Sequence, residues 1–454
     1  MMKRITPGSI FIRPMRSAAF AAVLTVTAAV GSNAQSSVFD VPALGHINDR
    51  TPDWLTLSGE FRVRYENRQG LGFISGNDDA YALARTRLNI GIRFAPVVQL
   101  FVQAQDSRAP GIRPGLTHNG VYRDEADLRQ AYLRVGGIET SPVTLTVGRQ
   151  LLLFGDQRLV GPLDWTNTAR TWDAVRLELR PTSGMKFDVF SSAVVANRPG
   201  YQINRPVDGT NFHGVYGAIG SVIPKSTIEP FVFWRTASSV IGEDGTAGDM
   251  DKFSAGVRIA GSGLSGVDYS ATFVDQWGDY ASSDVDAWAY SLAMGYTFVS
   301  DITPRAYVEY NFGSGDTDRT DGRIGGFDDA YPTAHLYYGY NDLVGWRNLQ
   351  NVRLGFSAKP HSRLSVQVDY HAFWLANGND NLYNVAGGIT TSTPPTGATD
   401  DRVGDELDVT FNVPISSTLS AGGGVGHMFP GPFLESNTLG AGNTFSFLFI
   451  GYKF

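Results

Sequence analysis

The chain ends with the sequence TFSFLFIGYKF, residues 444–454, and this stretch decides the fold. Leu448, Ile450 and Tyr452 are two positions apart, so in an extended strand their side chains share one face. An apolar strand at a chain end promotes aggregation unless its edge is paired and its apolar face is covered. A closed barrel whose outer face meets lipid satisfies both conditions. We therefore expect Phe454 to close a barrel against the first strand.

The opposite face of the same strand is less polar than the interior of a barrel usually is. It carries Phe447 and Phe449 beside Gly451 and Lys453. The alternating aromatic residues at the C-terminus also resemble the signal that the outer-membrane assembly machinery reads, so we expect that machinery to be a partner.

Composition excludes several classes of protein. The 454 residues include 52 glycines and no cysteine, so disulfides, thiolate metal sites and cysteine nucleophiles are ruled out. The net charge of −7 comes without a block of basic residues, which argues against a nucleic-acid partner.

The N-terminus has the pattern of a secretory signal peptide. Basic residues precede an apolar run over residues 18–30, which is too short for the ~20 residues of a spanning helix, so a membrane anchor is the less favoured alternative. Ser32 and Ala34 fit the small residues of a cleavage site. We expect a signal peptide over residues 1–34, a short periplasmic segment over 35–54 and a barrel over 55–454.

Alternation of apolar and polar residues recurs along the rest of the chain. It is clear in LTLSGEFRVRYE (55–66), AYALARTRLNIGIRF (80–94) and RLSVQVDYHAFW (363–374). Segments of about ten residues with this period match tilted transmembrane strands. A soluble propeller or β-helix is disfavoured because the sequence shows no self-similar repeat.

The connections between these segments alternate in length. We count 18 candidate strands, with 16 as an alternative, in an all-β antiparallel up-and-down transmembrane barrel of the bacterial outer membrane. The predicted short turns are 95–96, 180–184, 223–226, 300–304, 359–362 and 413–417. The predicted long loops are 67–79, 108–123, 151–168, 198–211, 238–249, 313–346, 377–402 and 428–441. Short periplasmic turns and long extracellular loops place both termini in the periplasm and require an even strand number.

The polar face of the strands is rich in arginine. By parity it carries Arg62, Arg64, Arg85, Arg87, Arg93, Arg176, Arg180, Arg258, Arg305, Arg353 and Arg363. The acids on that face are fewer: Glu60, Glu66, Glu178, Glu309, Asp369 and Asp408. Fixed guanidinium groups favour anionic solutes, although arginine–carboxylate ladders also stiffen the wall of a wide barrel. We expect these arginines to face water, so that their replacement changes stability little.

Enzymatic and metal-binding motifs are weak. The histidines show neither H-x-x-x-H nor H-E-x-x-H spacing, and no G-x-S-x-G motif occurs. We therefore predict no enzymatic activity, no cofactor and no metal site. A calcium-stabilised loop at Asp316, Asp318 and Asp321 is an alternative to a solvated loop.

Four segments in order resemble the alginate export family of outer-membrane barrels. They are GRQLLLFGDQRLVGPLDWTNTARTWDAVRLEL (148–179), YPTAHLYYGYNDLVGWRNLQNVRLGF (331–356), YHAFWLANGNDNLY (370–383) and DELDVTFNVPISSTLSAGGGVGHMFPG (405–431). The resemblance implies a monomeric barrel of 18 strands with an electropositive constriction, whose founding members export the polyuronate alginate.

Residues of this chain that match the family pattern become further pore-lining candidates. They are Arg149, Asp156, Arg158, Asp164, Arg170, Asp173 and Arg353. Arg149 falls on the apolar side by parity unless Gly148 carries a bulge. The chain is somewhat short for an alginate exporter, which favours smaller loop plugs, and family membership does not fix the solute.

The function expected from these patterns is passive passage of anionic or polar saccharides through the lipid bilayer. The alternatives are a general small-molecule diffusion porin, a plugged structural or adhesive barrel and, least favoured, an outer-membrane hydrolase. The longest loop, residues 313–346, is expected to fold over or into the pore mouth as a gate, because loops of this length are often functional.

Overall fold

Alternation of side chains gives each strand one apolar and one polar face, and adjacent strands pair so that their like faces lie on the same side of the sheet. The computed structural model describes Asn48 and residues 51–113, 120–136, 141–220, 222–262 and 264–454. The expected signal peptide and most of the expected periplasmic segment 35–54 lie outside the described residues.

Eighteen strands form a closed antiparallel barrel, as the sequence predicts. The first nine are β1 Leu55–Gln69, β2 Asp79–Ala95, β3 Val98–Arg108, β4 Asp124–Val135, β5 Val143–Gln150, β6 Trp172–Leu179, β7 Met185–Ala196, β8 Thr210–Ile219 and β9 Ser226–Ile241. The other nine are β10 Ala247–Ser262, β11 Val267–Tyr280, β12 Ser283–Thr297, β13 Arg305–Gly313, β14 Leu349–His361, β15 Leu364–Leu375, β16 Arg402–Pro414, β17 Leu419–Pro430 and β18 Asn443–Lys453.

The last strand closes the barrel against the first. The β1–β18 register runs from Glu60↔Lys453 to Gln69↔Thr444. Beyond it the Gly59 amide donates to the Phe454 carbonyl at 2.7 Å, and the Phe454 amide donates to the Gly59 carbonyl at 3.0 Å. The expected role of Phe454 in closure is confirmed, and no sheet edge is left at this junction.

The two faces of β18 have opposite environments. Leu448 and Ile450 are 59 % and 47 % exposed on the outside, whereas Phe445 and Phe447 are 0 % and 4 % exposed on the inside. A band of exposed apolar side chains continues around the barrel, which is the surface that a bilayer covers. Among the described residues, no helix is both long enough and apolar enough to cross a membrane.

Short turns and longer connections alternate around the barrel, with one correction. The connection predicted over residues 238–249 is short, because β9 extends to Ile241 and β10 begins at Ala247. Strands β11 and β12 are also joined by a two-residue turn on this side. The end that carries turns 96–97, 180–184, 298–304, 362–363 and 415–418 is called the short-turn end below.

Two long connections fold into the barrel. Loop A (residues 151–171) and loop B (residues 314–348) pair with each other through backbone hydrogen bonds: the Tyr331 amide donates to the Leu159 carbonyl at 2.9 Å, and the Thr333 amide donates to the Gln157 carbonyl at 3.0 Å.

Loop B spans the lumen from side to side. Its Asp328 accepts a hydrogen bond from Arg235 on β9 at 2.7 Å and pairs with Lys252 on β10. On the other side, the His335 ring stacks on Phe445 of β18 with a centroid distance of 5.8 Å. Loop B therefore enters the pore, as expected from the sequence.

An apolar core lies inside one half of the barrel, where parity predicts a polar wall. Strands β7, β8 and β9 turn Phe190, Phe212, Phe231 and Phe233 inward, and loop A stacks Phe154 against them. Loop B adds more buried side chains: Phe327, Tyr331, Val344 and Trp346. The core anchors both loops, since burying a large apolar side chain stabilises by about 1.5–3 kcal/mol.

Candidate functional site: an arginine cluster between the wall and loop A

Arginines on strands β1, β2 and β4 converge on the tip of loop A. The arginine cluster consists of Arg62 and Arg64 on β1, Arg85 and Arg87 on β2, and Arg129 on β4. In the β1–β2 register Arg62 lies opposite Arg85, and Glu60 lies opposite Arg87. Like charges this close repel each other, so the cluster needs acceptors between them.

Loop A supplies those acceptors. Asp164 accepts from Arg87 at 2.7 Å, from Arg129 at 3.4 Å and from Arg85 at 3.5 Å. Backbone carbonyls complete the set: Arg64 donates to the Trp165 carbonyl at 2.7 Å, and Arg62 donates to the Thr166 carbonyl at 3.0 Å. The loop tip is therefore held to the wall by charge-assisted hydrogen bonds.

Burial and neighbouring charge act in opposite directions on Asp164. Burial disfavours its ionised form, but Arg87, Arg85 and Arg129 outweigh burial and hold the pKa of Asp164 below its usual value. The carboxylate therefore stays charged and compensates part of the positive charge around it.

The balance of charge at the cluster remains positive. Five guanidinium groups face three carboxylates, those of Glu60, Glu66 and Asp164. The side chain of Asp164 is 25 % exposed and Arg62 is half-buried, so both residues retain contact with solvent.

The arginines are far more buried than the sequence analysis expected. Arg64, Arg85 and Arg87 are exposed by only 2 %, 2 % and 4 %, because loop A covers them. The expectation that these three arginines face water is therefore wrong, and we now expect their replacement to lower stability. Removing one partner from a buried ion pair costs about 3–5 kcal/mol, because the other charge stays buried.

Arg129 is the member of the cluster that the sequence analysis missed. The β3–β4 register shifts between Gln103 and Ala104, which leaves Arg129 as an extra residue in β4. This bulge turns both Arg129 and Gln130 inward, where both bond to the Gln103 side chain, at 2.5 and 2.9 Å. Strict alternation carries no signal for such an insertion.

A second network of charges crosses the lumen from β10 to β15. Asp156 of loop A lies 3.4 Å from Arg258 and 3.6 Å from Arg158, which donates to Glu309 at 2.8 Å. Arg353 continues the network, 3.6 Å from Glu309 and 3.0 Å from Asp369. Three predicted residues, Asp156, Arg158 and Arg353, thus meet here rather than in the arginine cluster.

Arg170 lies where the two loops meet. Its guanidinium donates to the carbonyls of Gly161 at 3.1 Å and Pro332 at 3.2 Å, and stands 5.4 Å from the centre of the Tyr331 ring. Burial lowers the pKa of Arg170 to about 10, which keeps it charged at neutral pH.

Arg149 and Asp173 lie apart from the other predicted residues. The β5–β6 register runs without a break from Val143↔Leu179 to Gln150↔Trp172, so Gly148 carries no bulge there. Arg149 therefore shares the outer face with Val147 and pairs with Asp173 at 2.8 Å. Arg149 and Asp173 therefore lie on the outer face, whereas the sequence analysis expected both to line the pore.

The aspartates proposed as a calcium loop serve other contacts. Asp318 Oδ1 accepts from the Thr320 amide and hydroxyl at 3.1 and 2.6 Å, as in a turn. Within the described part of the chain, no group of three or more His, Asp or Glu side chains is arranged to hold a metal ion.

Comparison with known proteins places the chain among outer-membrane barrels. No curated protein matches the sequence. Solved structures share the fold: OccK2 (OpdF) of Pseudomonas aeruginosa, solved in complex with glucuronate, has 11% identity, a TM-score of 0.59, and covers 88% of this chain and 96% of its own. OpdK of Pseudomonas aeruginosa, solved with vanillate, has 12% identity, a TM-score of 0.60, and coverages of 88% and 98%.

A third similar structure is a BenF-like porin from Pseudomonas fluorescens Pf-5. It has 11% identity and a TM-score of 0.59, with 88% of this chain and 98% of that chain covered. At such identities these structures establish the fold alone, a closed β-barrel similar to those of the three structures. The model of the alginate export family matches residues 53–446, which is most of the chain, and the protein therefore belongs to the alginate export family.

Proposed function

We propose that this protein is an outer-membrane channel that gives anionic or polar saccharides passive passage. The observation that carries the proposal is the excess of guanidinium groups over carboxylates where loop A narrows the lumen. A fixed positive field at a narrow passage raises the local concentration of anions. Family membership and the porin fold support a channel rather than an enzyme.

The remaining parts of the proposal concern the setting of the channel. We infer a monomer in the outer membrane of a Gram-negative bacterium, exported by a signal peptide over residues 1–34 and inserted by the outer-membrane assembly machinery. Both termini would then be periplasmic, since the short-turn end of such barrels faces the periplasm. Of the similar structures, OccK2 is a complex with glucuronate and OpdK a complex with vanillate, and both of these ligands are small carboxylates.

A general diffusion porin is the second candidate. Positive and negative side chains nearly balance in the second network, which includes Asp156, Arg158, Glu309 and Arg353. A wall with balanced charge discriminates weakly between anions and cations, which favours a general porin. The two candidates differ in anion preference.

Reversal potential in a KCl gradient across a planar bilayer tests the proposal. We expect wild-type protein to prefer chloride, Arg62→Gln to reduce that preference and Asp164→Asn to increase it. Both substitutions remove contacts between loop A and the wall, so a merely loosened loop would shift both variants in the same direction.

Lys225→Gln serves as the control, because it removes one positive charge from an exposed turn at the short-turn end. Opposite shifts in the two variants, with the control unchanged, support the selective channel. A wild-type reversal potential near zero would favour the general porin, and absence of current would favour the plugged barrel.

A further inference from the structure

A cavity of about 570 Å³ lies inside the barrel, between the inward loops and the short-turn end. Its lower rim includes Thr303 in the turn 298–304 and Lys359 near the end of β14. Its roof includes Trp165 of loop A and Tyr340 of loop B. The volume falls within the range of roughly 300–1,000 Å³ that small-molecule sites occupy.

The roof and one wall of the cavity are aromatic. Trp165 and Tyr340 meet edge to face with a centroid distance of 5.8 Å, and Tyr340 stacks on Phe447 at 5.6 Å. Phe449 continues the wall toward the short-turn end. Phe447 and Phe449 are the residues that made the inner face of β18 too apolar for a barrel lumen, and their position beside the cavity explains them.

A cationic side chain also lies over the face of the Trp165 ring. The Arg64 guanidinium lies 4.2 Å from its centre, on the side of the arginine cluster. Trp165 and Tyr340 are half-buried, so part of each ring remains open to the cavity. A ligand with a flat apolar face gains contact area on such rings at little conformational cost.

The far side of the cavity is polar and carries positive charge. Arg305 makes a bidentate pair with Asp268, at 2.7 and 2.6 Å, so that its charge is largely compensated. Lys359, two positions after Ser357 on β14, lines the cavity and is exposed at its rim. Hydroxyl groups of Ser357 and Thr410 line the wall between the lysine and the aromatic roof.

We infer that this cavity binds a ring carboxylate, a six-membered ring with a flat apolar face and one carboxylate group. The ring would rest on Trp165 and Tyr340, and the carboxylate would face Lys359. Sugar acids and aromatic acids share this chemistry. The inference rests on the proposed channel function and adds a solute site on the short-turn side of the constriction.

The test is the block of single-channel current by three probes, D-glucuronate, benzoate and glucose, added at the short-turn side. Tyr340→Leu removes a ring of the roof, and Lys359→Gln removes the cation while leaving the roof intact. We expect each variant to weaken block by the carboxylates about two- to tenfold. Lys225→Gln, a lysine of the same end that does not line the cavity, should match wild type.

The outcomes separate the cavity from the channel. Block by glucuronate assigns the site to sugar acids and block by benzoate to aromatic acids, and either supports the inference if both variants weaken it. Equal block by glucose and glucuronate overturns the role of the carboxylate. If both variants conduct and are blocked as strongly as wild type, the cavity site is overturned and the channel is not. If the wild-type protein carries no current, the channel itself is overturned. Heat-modifiable migration confirms that each variant has folded.

Discussion

At the scale of single residues, two glycines with similar backbone conformations differ in how closely neighbouring atoms approach them. Gly148 in β5 has φ +121°, and a Cβ atom there would stand 2.3 Å from the Ala131 carbonyl oxygen. Gly200 has nearly the same φ, +119°, but an added Cβ meets no atom within 4 Å. The two glycines share the backbone strain that an L-residue would suffer and differ only in the steric clash.

This pair gives a prediction at the residue scale. We expect Gly148→Ala to reduce the amount of assembled, heat-modifiable barrel strongly, because the clash would separate β4 from β5. Gly200→Ala should reduce it much less, since only the unfavourable φ contributes. The measurement is the ratio of folded to unfolded bands on unheated gels. Equal losses in both variants would show that conformation rather than packing dominates.

At the scale of structural elements, loop B joins opposite walls and covers loop A. Arg353 donates to the Leu336 carbonyl at 2.8 Å, and Glu406 accepts from the Asn341 amide at 2.9 Å. Together with the contacts of Asp328 on β9 and β10, these bonds fix the loop across the passage.

Excision of part of loop B should open the channel. Replacing residues 326–344 with a short Gly-Ser linker removes the segment that crosses the lumen and leaves the barrel strands intact. We expect higher single-channel conductance and faster uptake of bulky antibiotics by cells. Circular dichroism and heat-modifiability serve as controls for the barrel. Unchanged conductance in a correctly folded variant would mean that solutes pass beside the loop rather than through its position.

The docking of loop B should also depend on pH. Burial, with the charge of Asp328, raises the pKa of Asp329 to about 7, and burial raises the pKa of Asp342 to about 7. Arg170 beside Asp329 and Arg68 beside Asp342 oppose these shifts. Both carboxyls ordinarily have a pKa near 3.8, so together they bind more protons in the docked loop than in a released one between these values. The buried His335 ring opposes one of them, because burial lowers its pKa well below the usual value.

The direction of the pH dependence follows from this difference in the number of bound protons. The docked state is favoured most at low pH and loses that advantage as the pH rises from about 4 to about 7. We expect current fluctuations and proteolytic cleavage of loop B to increase over that range. The double variant Asp329→Asn/Asp342→Asn should remove most of this dependence. A variant with the wild-type pH profile would exclude these two carboxyls as its source.

At the scale of the whole molecule, closure of the barrel makes all strands depend on one junction. The β1–β18 pairing leaves none of the 18 described barrel strands with a free edge, and in a bilayer each unpaired backbone group is costly. The final residue extends this pairing through its two hydrogen bonds with Gly59.

Deletion of Phe454 should therefore impair assembly far more than transport. We expect a large loss of heat-modifiable protein in the outer membrane, while the barrels that do form keep the wild-type single-channel conductance. Phe94→Ala is a matched control, because it removes an aromatic side chain that is 64 % exposed and lies away from the junction. A β-rich circular dichroism spectrum in detergent should accompany the folded form. Comparable loss in both variants would argue against a special role for the junction.

The sequence by itself determined the barrel, its closure and the faces of most strands, and it favoured 18 strands over 16, because these depend on alternation within ten to fifteen residues. Arg62, Arg64, Arg85 and Arg87 lie on the predicted side for this reason. Family resemblance added Asp164, which no local pattern would connect with them.

Only the tertiary structure decided where the long loops go and what they cover. The contact between Arg85 and Asp164 joins residues 79 positions apart, and the contact between Arg158 and Tyr338 joins residues 180 apart. Local periodicity contains no information about such pairs, nor about the bulge that turns Arg129 inward. The burial of the arginines, the apolar half of the lumen and the cavity below the loops all follow from these long-range contacts, which the alternating pattern of the strands does not encode.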